Sequence, residues 1–243
     1  MGVRRFFAVL AREFWALVRL NLLFSLFALP SVALFLLGMF TPLGGLALIL
    51  SLAAAFPVGG ALCAVLFCIA KMLRDDPGYL WHDFKRKLQE NIRQAAAPGI
   101  LCAAFIYAEI FLLRVIIPAA GAGIGWIVAG LAPLVIFGMV APYIFLQIAY
   151  IELKTSQILR NSLLIAFANA GRSLAGALMG GAACWVYILL LPDSLPFTPL
   201  LPVIAGALSW LLNLIWVWPP VDKQFAIDAT LRGRAPDAPG EDR

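Results

Sequence analysis

The chain has 243 residues, of which 63% are hydrophobic and 13% are charged. A soluble domain of this size is typically about a quarter charged, so this chain has too little polar surface for a water-soluble globule. Soluble enzyme folds are therefore excluded, and the composition predicts an integral membrane protein. The formal net charge of +5 could suggest a nucleic-acid partner in a soluble protein. We interpret it instead as a sign of cytoplasmic loops and expect no nucleic acid, because basic residues collect in such loops in membrane proteins.

The N-terminal segment mixes four arginines with aromatic and aliphatic side chains. This mixture predicts an interfacial helix over 1–19 that leads into the first span. A signal peptide is the alternative, but the apolar run from Leu20 continues for a full span and lacks a small-residue cleavage site. We therefore expect no cleavage.

Six apolar segments follow, each near the roughly 20 residues that a helix needs to cross about 30 Å of hydrocarbon. Helices are predicted because lipid offers no partner for backbone polar groups. The expected fold is all-α, with a single six-helix transmembrane domain over 20–228 and a disordered cytoplasmic tail over 229–243. The predicted spans are 20–40, 46–70, 95–118, 125–151, 174–191 and 200–218.

Basic residues predict the orientation of these spans. All of the 18 Lys and Arg residues except Arg114 fall on one side of the predicted membrane. The positive-inside rule then places both termini in the cytoplasm, together with the connections 71–94 and 152–173.

Both cytoplasmic connections contain apolar residues at helical spacing with charged residues between them. They are predicted to form amphipathic helices that lie along the membrane. One interpretation is that they rest in the headgroup layer, and the other is that they dock a partner. The candidate docking residues are Asp83, Phe84, Asn91, Arg160 and Asn161.

Glu109 falls near the middle of the third predicted span, where an ionisable group costs several kcal/mol unless it is paired, protonated or wet. Either it faces a polar cavity with a role in ligand or proton handling, or another helix satisfies it structurally. Arg114 is expected to snorkel toward the outer interface. Gln147 and Asn213 are expected to form interhelical hydrogen bonds. The candidate intramembrane polar site comprises Glu109, Arg114 and Gln147.

Proline and glycine predict local features of the spans. Kinks are expected at proline within a helix. Gly176 and Gly180 form a GxxxG pattern that permits close helix approach. Packing within the chain is the expected use of this pattern, and a homo-oligomer is the alternative. The predicted kinks lie at Pro30, Pro57, Pro133 and Pro142.

Motifs for enzymatic, metal or cofactor chemistry are missing from the sequence. It has no P-loop, GxSxG or HExxH pattern, and its one histidine, His82, lies in a charged segment. The cysteines lie within apolar runs and are expected to be small buried side chains: Cys63, Cys68, Cys102 and Cys184. We therefore expect a protein that is not an enzyme and has no metal and no cofactor.

Two segments resemble the YesL-like family of bacterial polytopic membrane proteins. The first consists of RLNLLFSLFALP at 19–30 and the stretch from FPVGGAL at 56–62 to the end of 94. A weaker similarity is LRNSLLIAFANAGRSL at 159–174. The residues that carry the resemblance are Asn21, Pro57 to Leu62, Lys71, Arg74, Asp75, Asp83, Phe84 and Asn91.

The resemblance implies a protein of the bacterial cytoplasmic (inner) membrane that is linked with carbohydrate utilisation. It implies no catalytic residue. The leading hypothesis is an accessory protein in sugar or glycan uptake that associates with an ABC-type sugar importer through its cytoplasmic helices. The alternative is a stand-alone small-molecule transporter or channel with Glu109 in a midplane cavity.

Overall fold

A computed structural model describes residues 3–41, 44–76, 78–121, 123–151, 153–190 and 206–227. Within these residues the secondary structure is entirely helical, which confirms the all-α prediction. The helices are α1 (Val3–Phe40), α2 (Gly44–Ala54), α3 (Phe56–Leu73), α4 (Leu80–Phe111), a π-helical turn (Leu112–Ile116), α5 (Ile117–Ala119), α6 (Ile124–Tyr150), α7 (Thr155–Ala168), α8 (Ala170–Leu190) and α9 (Gly206–Phe225).

Four of these helices, α1, α3, α4 and α6, are long and apolar enough to cross a membrane. A fifth crossing is possible if α7 and the first part of α8 form one bent span. The described residues thus contain four or five candidate spans where the sequence predicts six. Residues 200–205 of the sixth predicted span and the tail 229–243 lie outside the described residues.

The segment predicted as one span over 46–70 is two helices. The chain leaves α2 after Ala54 and starts α3 at Phe56. Pro57 therefore lies in the first turn of α3, where its missing N–H removes no helical hydrogen bond. By contrast, α1 continues through Pro30, and α6 continues through Pro133 and Pro142.

Two predicted boundaries are absent from the structure. The amphipathic segment before residue 94 and the apolar segment after it form one uninterrupted helix, α4. Similarly, α1 runs from Val3 to Phe40 without ending near residue 19, and only Glu13 departs from helical φ and ψ values. The amphipathic helix predicted within the connection 71–94 is therefore the first part of α4, and the turn before Leu80 separates it from α3.

The core of the bundle is built around α3. Its residues from Gly59 to Ala70 are all buried, and it packs most extensively against α4. A Cβ at Gly59 would lie 2.0 Å from the carbonyl oxygen of Ala95, and one at Gly99 would lie 2.5 Å from the nitrogen of Gly59. The backbones of the two helices are therefore in direct contact.

The GxxxG pattern of α8 is used inside the chain. Cβ atoms at Gly176 and Gly180 would lie 3.2 Å from the Asn213 carbonyl oxygen and 2.7 Å from the Asn213 Cβ, respectively. Both contacts are with α9, so this glycine face is already covered by another helix of the same chain. A second copy has no access to it in this fold.

Candidate functional site

An ion pair joins α3 to α4 near the turn between them. Lys71 donates from Nζ to Asp83 Oδ2 at 2.9 Å, and Arg86 donates to Asp83 Oδ1 at 3.3 Å. The Lys71 and Asp83 side chains are only 15% and 11% exposed. Gly78 packs directly on this pair, since a Cβ there would lie 2.5 Å from Asp83 Oδ2. The pair thus fixes the α3–α4 turn.

The C-terminus of α3 is capped by its own backbone and by α1. Asp75 adopts a left-handed conformation with φ of 57°, and the N–H of Asp76 donates to the Lys71 carbonyl at 3.1 Å, as in a Schellman motif. Arg5 donates to the Leu73 carbonyl at 2.7 Å, and Arg12 donates to that of Met72 at 3.1 Å. Two arginines of α1 thereby satisfy carbonyls that a helix end leaves open.

The same two arginines also bind Asp75. The hydrogen bond from Arg5, and secondly that from Arg12, lowers the pKa of the Asp75 carboxyl below its ordinary value of 3.8. Arg5 has the larger effect of the two. Because the carboxylate is the form that the arginines stabilise, Asp75 ties the first turns of α1 to the end of α3. We call the group Arg5, Arg12, Lys71, Arg74, Asp75 and Asp83 the charged end.

The lowered pKa of Asp75 predicts a pH dependence of stability. A carboxyl with a depressed folded-state pKa stabilises the fold above its unfolded value, 3.8, and this contribution is lost as the pH falls through the folded-state pKa. We expect the melting temperature in detergent to fall more steeply for the wild type than for Asp75→Asn between about pH 5 and about pH 2. Asparagine is the matched control because it tolerates positive φ. Identical slopes would show that Asp75 contributes nothing.

Arg74 connects the charged end to α6 and α9. Its guanidinium lies 5.6 Å from the ring centre of Tyr150 and 5.3 Å from that of Trp218. It also donates to the Tyr150 hydroxyl at 3.3 Å. Cation–π contacts of this kind gain strength where water is excluded, and the Arg74 side chain is only 9% exposed. Helices α3, α6 and α9 therefore meet at one arginine.

A cleft of about 420 Å³ opens beside the charged end. Its charged lining residues include Arg12, Lys71, Asp75 and Asp83, and each of these four already has an ion-pair partner within the chain. The cleft is thus lined by charges that satisfy one another.

Three of the predicted docking residues belong to the interior. Phe84 is fully buried, Asp83 binds Lys71 and Arg86, and Asn91 is buried and donates to the Lys87 carbonyl at 2.8 Å. All three side chains are therefore buried within the chain, whereas docking of a partner requires an exposed surface. Arg160 is exposed on α7, and Asn161 beside it is partly buried.

The opposite face of α4 is the exposed one. It carries both signs of charge, and one pair, Lys87 and Glu90, is 2.8 Å apart. Two large aromatic side chains, Tyr79 and Trp81, are also exposed where the turn enters this helix. We call the following residues the α4 outer face: Tyr79, Trp81, His82, Lys85, Arg86, Glu90 and Arg93.

The two described side chains of the predicted intramembrane site, Glu109 and Gln147, have no hydrogen bond to each other. Glu109 is buried near the end of α4, and its Oε2 atom has no hydrogen-bond partner among the described residues. Gln147 instead donates to Ser162 Oγ at 2.8 Å and to the Tyr143 carbonyl at 3.2 Å. The side chain of Arg114 lies outside the described residues.

A second cleft, of about 570 Å³, lies between the π-helical turn and α6. It has an apolar lining that includes Leu112, Ile116, Trp126 and Pro133. Glu109 lines neither this cleft nor the one at the charged end. Neither of these two clefts is therefore the polar cavity predicted around Glu109.

Sequence reasoning missed two polar clusters. In one, Ser31 Oγ lies 2.6 Å from the Tyr107 hydroxyl and donates to the Ser51 carbonyl at 2.7 Å. In the other, the Tyr143 hydroxyl lies 2.9 Å from Ser173 Oγ, near the 97° bend between α7 and α8. Serine and tyrosine are common in apolar helices, so only their neighbours in space single these out.

Comparison with known proteins adds no relative. No family model, curated protein or solved structure matches this chain. The class that the fold defines is an all-helical protein with several helices able to cross a membrane. The resemblance to the YesL-like family stays a prediction.

Proposed function

We propose that this protein is a non-enzymatic accessory protein of the bacterial cytoplasmic membrane that assists carbohydrate uptake by associating with an ABC-type sugar importer. In this proposal six helices cross the membrane, both termini are cytoplasmic, and the charged end lies on the cytoplasmic side. The class of partner comes from the sequence resemblance, whereas the proposed docking surface comes from the structure.

The observation that carries the proposal is the α4 outer face. Most of the exposed surface of α1 beyond Arg19, of α2 and of the first half of α6 is apolar, as lipid-facing surface is. The α4 outer face combines exposed aromatic side chains with arginines, the residue types that dominate binding energy in interfaces. It is therefore a better docking surface than the buried trio Asp83, Phe84 and Asn91.

A stand-alone transporter is the second candidate, and Glu109 favours it. Its buried carboxyl oxygen has no partner in the part of the chain that the structure describes, and such a group is costly in a membrane unless function retains it. The π-helical turn that begins three residues later is also a feature often found at functional sites. In this candidate Glu109 handles a proton or a ligand.

One experiment separates the two candidates. The tagged full-length protein is purified from its native membrane in mild detergent, and sugar uptake by the same cells is measured. Reversing Lys85 and Arg93 to glutamate is expected to remove ABC permease subunits from the purified sample and to reduce uptake. Arg4→Glu, an exposed arginine on another helix, is the matched control and is expected to keep both.

The same assay includes Glu109→Gln. The accessory proposal expects this variant to retain both the importer and the uptake activity. Loss of uptake in Glu109→Gln, with no importer recovered even from the wild type, would replace the accessory proposal with the transporter.

A further inference from the structure

Helix α3 is long and apolar enough to be taken for a membrane span. A helix that is apolar on all sides is either in lipid or in the core of a protein. In α3 nearly every side chain after Gly59 is buried by the chain itself. Its apolar composition is therefore accounted for without lipid.

The residue contacts between α3 and α4 identify the part of α4 that lies beside α3. Gly59 contacts Ala95, Gly60 contacts Ile92, and Lys71 binds Asp83. The stretch of α3 from Gly60 to Lys71 thus runs antiparallel to the part of α4 between Asp83 and Ile92. That part of α4 is the one with the charged outer face.

If α3 crossed the hydrocarbon, this outer face would cross with it. Lys85, Arg86 and Glu90 are exposed on the protein surface there, as is Arg93 one residue beyond. Exposed charges at membrane depth are rare because each carries a large penalty. Snorkelling relieves such charges only near the helix ends, whereas these are spread over more than two turns.

Beyond Arg93 the exposed surface of α4 changes from charged to apolar. Leu101 is 70% exposed and Phe111 is 42% exposed, and no charged residue of α4 after Arg93 is exposed. The lipid boundary on this helix therefore lies between Arg93 and Leu101, at the height of the first turns of α3.

We propose that α3 beyond Gly60 stands outside the hydrocarbon, where it forms the core of a helical platform whose outer surface is the polar face of α4. The return crossing after α1 is then made by α2 together with the first turn of α3. The inference needs neither the importer nor the orientation of the termini, so it stands or falls separately from the proposed function.

Single cysteines on α4 test the proposal. Arg93→Cys, Glu90→Cys and Leu101→Cys are made in a background in which the four native cysteines are replaced by alanine. Opened membranes are treated with a membrane-impermeant maleimide, so that both faces of the bilayer meet the reagent. Arg93→Cys and Glu90→Cys are expected to be labelled, whereas Leu101→Cys, which is equally on the protein surface, is expected to stay unlabelled until detergent is added.

Labelling of the native lysines provides a second measurement that requires no substitution. In the unaltered protein, a water-soluble acylating reagent applied to opened membranes is expected to modify Lys85 as well as Lys154, which is exposed after α6. Modification of Lys154 with no modification of Lys85 would overturn the proposal. The proposal would also be overturned if Arg93→Cys and Glu90→Cys reacted only in detergent, which is the behaviour expected of Leu101→Cys.

Discussion

Replacing Gly59 with alanine is expected to push α3 away from α4. The resulting loss of stability is expected to be among the largest that one added methyl group can cause in this chain. The added Cβ would lie 2.0 Å from the Ala95 carbonyl oxygen and 3.0 Å from the Gly99 Cα. Both are backbone atoms, so no change of rotamer relieves the overlap. Overpacking typically costs about 1–3 kcal/mol, and we expect the upper end of this range.

The melting temperature of the purified protein in detergent measures this effect. Gly45→Ala in α2 is the matched control, because a Cβ at Gly45 has no neighbour within 4 Å and alanine is the better helix former. We expect Gly45→Ala to melt at the wild-type temperature or slightly above it. Equal melting temperatures for Gly59→Ala and Gly45→Ala would show that the helices are not in backbone contact.

Gly99→Ala extends the test to the other side of the contact. Its Cβ would lie 2.5 Å from the Gly59 nitrogen, so the single variant is expected to lose a similar amount of stability. The double variant is expected to lose less than the sum of the two, because neighbouring substitutions that act on one contact are not additive. Simple additivity would place the two glycines in different contacts.

The helical class of the protein and the periodicity of α4 were predictable because each depends on local sequence. The end of the amphipathic segment was not. The change from Arg93 to the alanines at 95–97 is a change of hydropathy, and α4 continues across it and through Pro98. A boundary between water and lipid therefore need not coincide with the end of a helix.

The role of Asp83, Phe84 and Asn91 shows a second limit. Helical spacing separates the charged from the apolar residues of this segment, but it does not say which of them the rest of the chain covers. The answer depends on Lys71 and the glycines of α3, which belong to another segment of the chain. Only the pairing of α3 with α4 distinguishes a docking surface from an interior face.

Removing Lys71 alone is expected to destabilise the protein more than removing it together with Asp83. In Lys71→Met the Asp83 carboxylate stays almost buried and keeps only its 3.3 Å contact with the half-exposed Arg86. Breaking a buried pair by deleting one partner typically costs about 3–5 kcal/mol. We expect about 2 kcal/mol here, because Arg86 supplies part of the lost interaction.

The double variant Lys71→Met with Asp83→Leu removes both charges. Well-packed apolar residues in place of a buried ion pair are often neutral or stabilising, so the melting temperature is expected to return close to that of the wild type. The matched control is Glu90→Gln, which breaks an exposed pair with Lys87 on the same helix. Such pairs contribute about 0.2–0.5 kcal/mol, so the control is expected to melt near the wild-type temperature.

The melting temperatures of these single and double variants show which interactions hold the α3–α4 turn. If the double variant recovers, the ion pair is replaceable, and the backbone contact at Gly59 and the arginines of α1 at the end of α3 hold the turn. If the double variant is as unstable as Lys71→Met, the charges themselves position the turn, since Gly78 packs on both of them. Equal stability of Lys71→Met and the wild type would exclude a structural role for the pair and would leave its charges available to a partner at the neighbouring cleft.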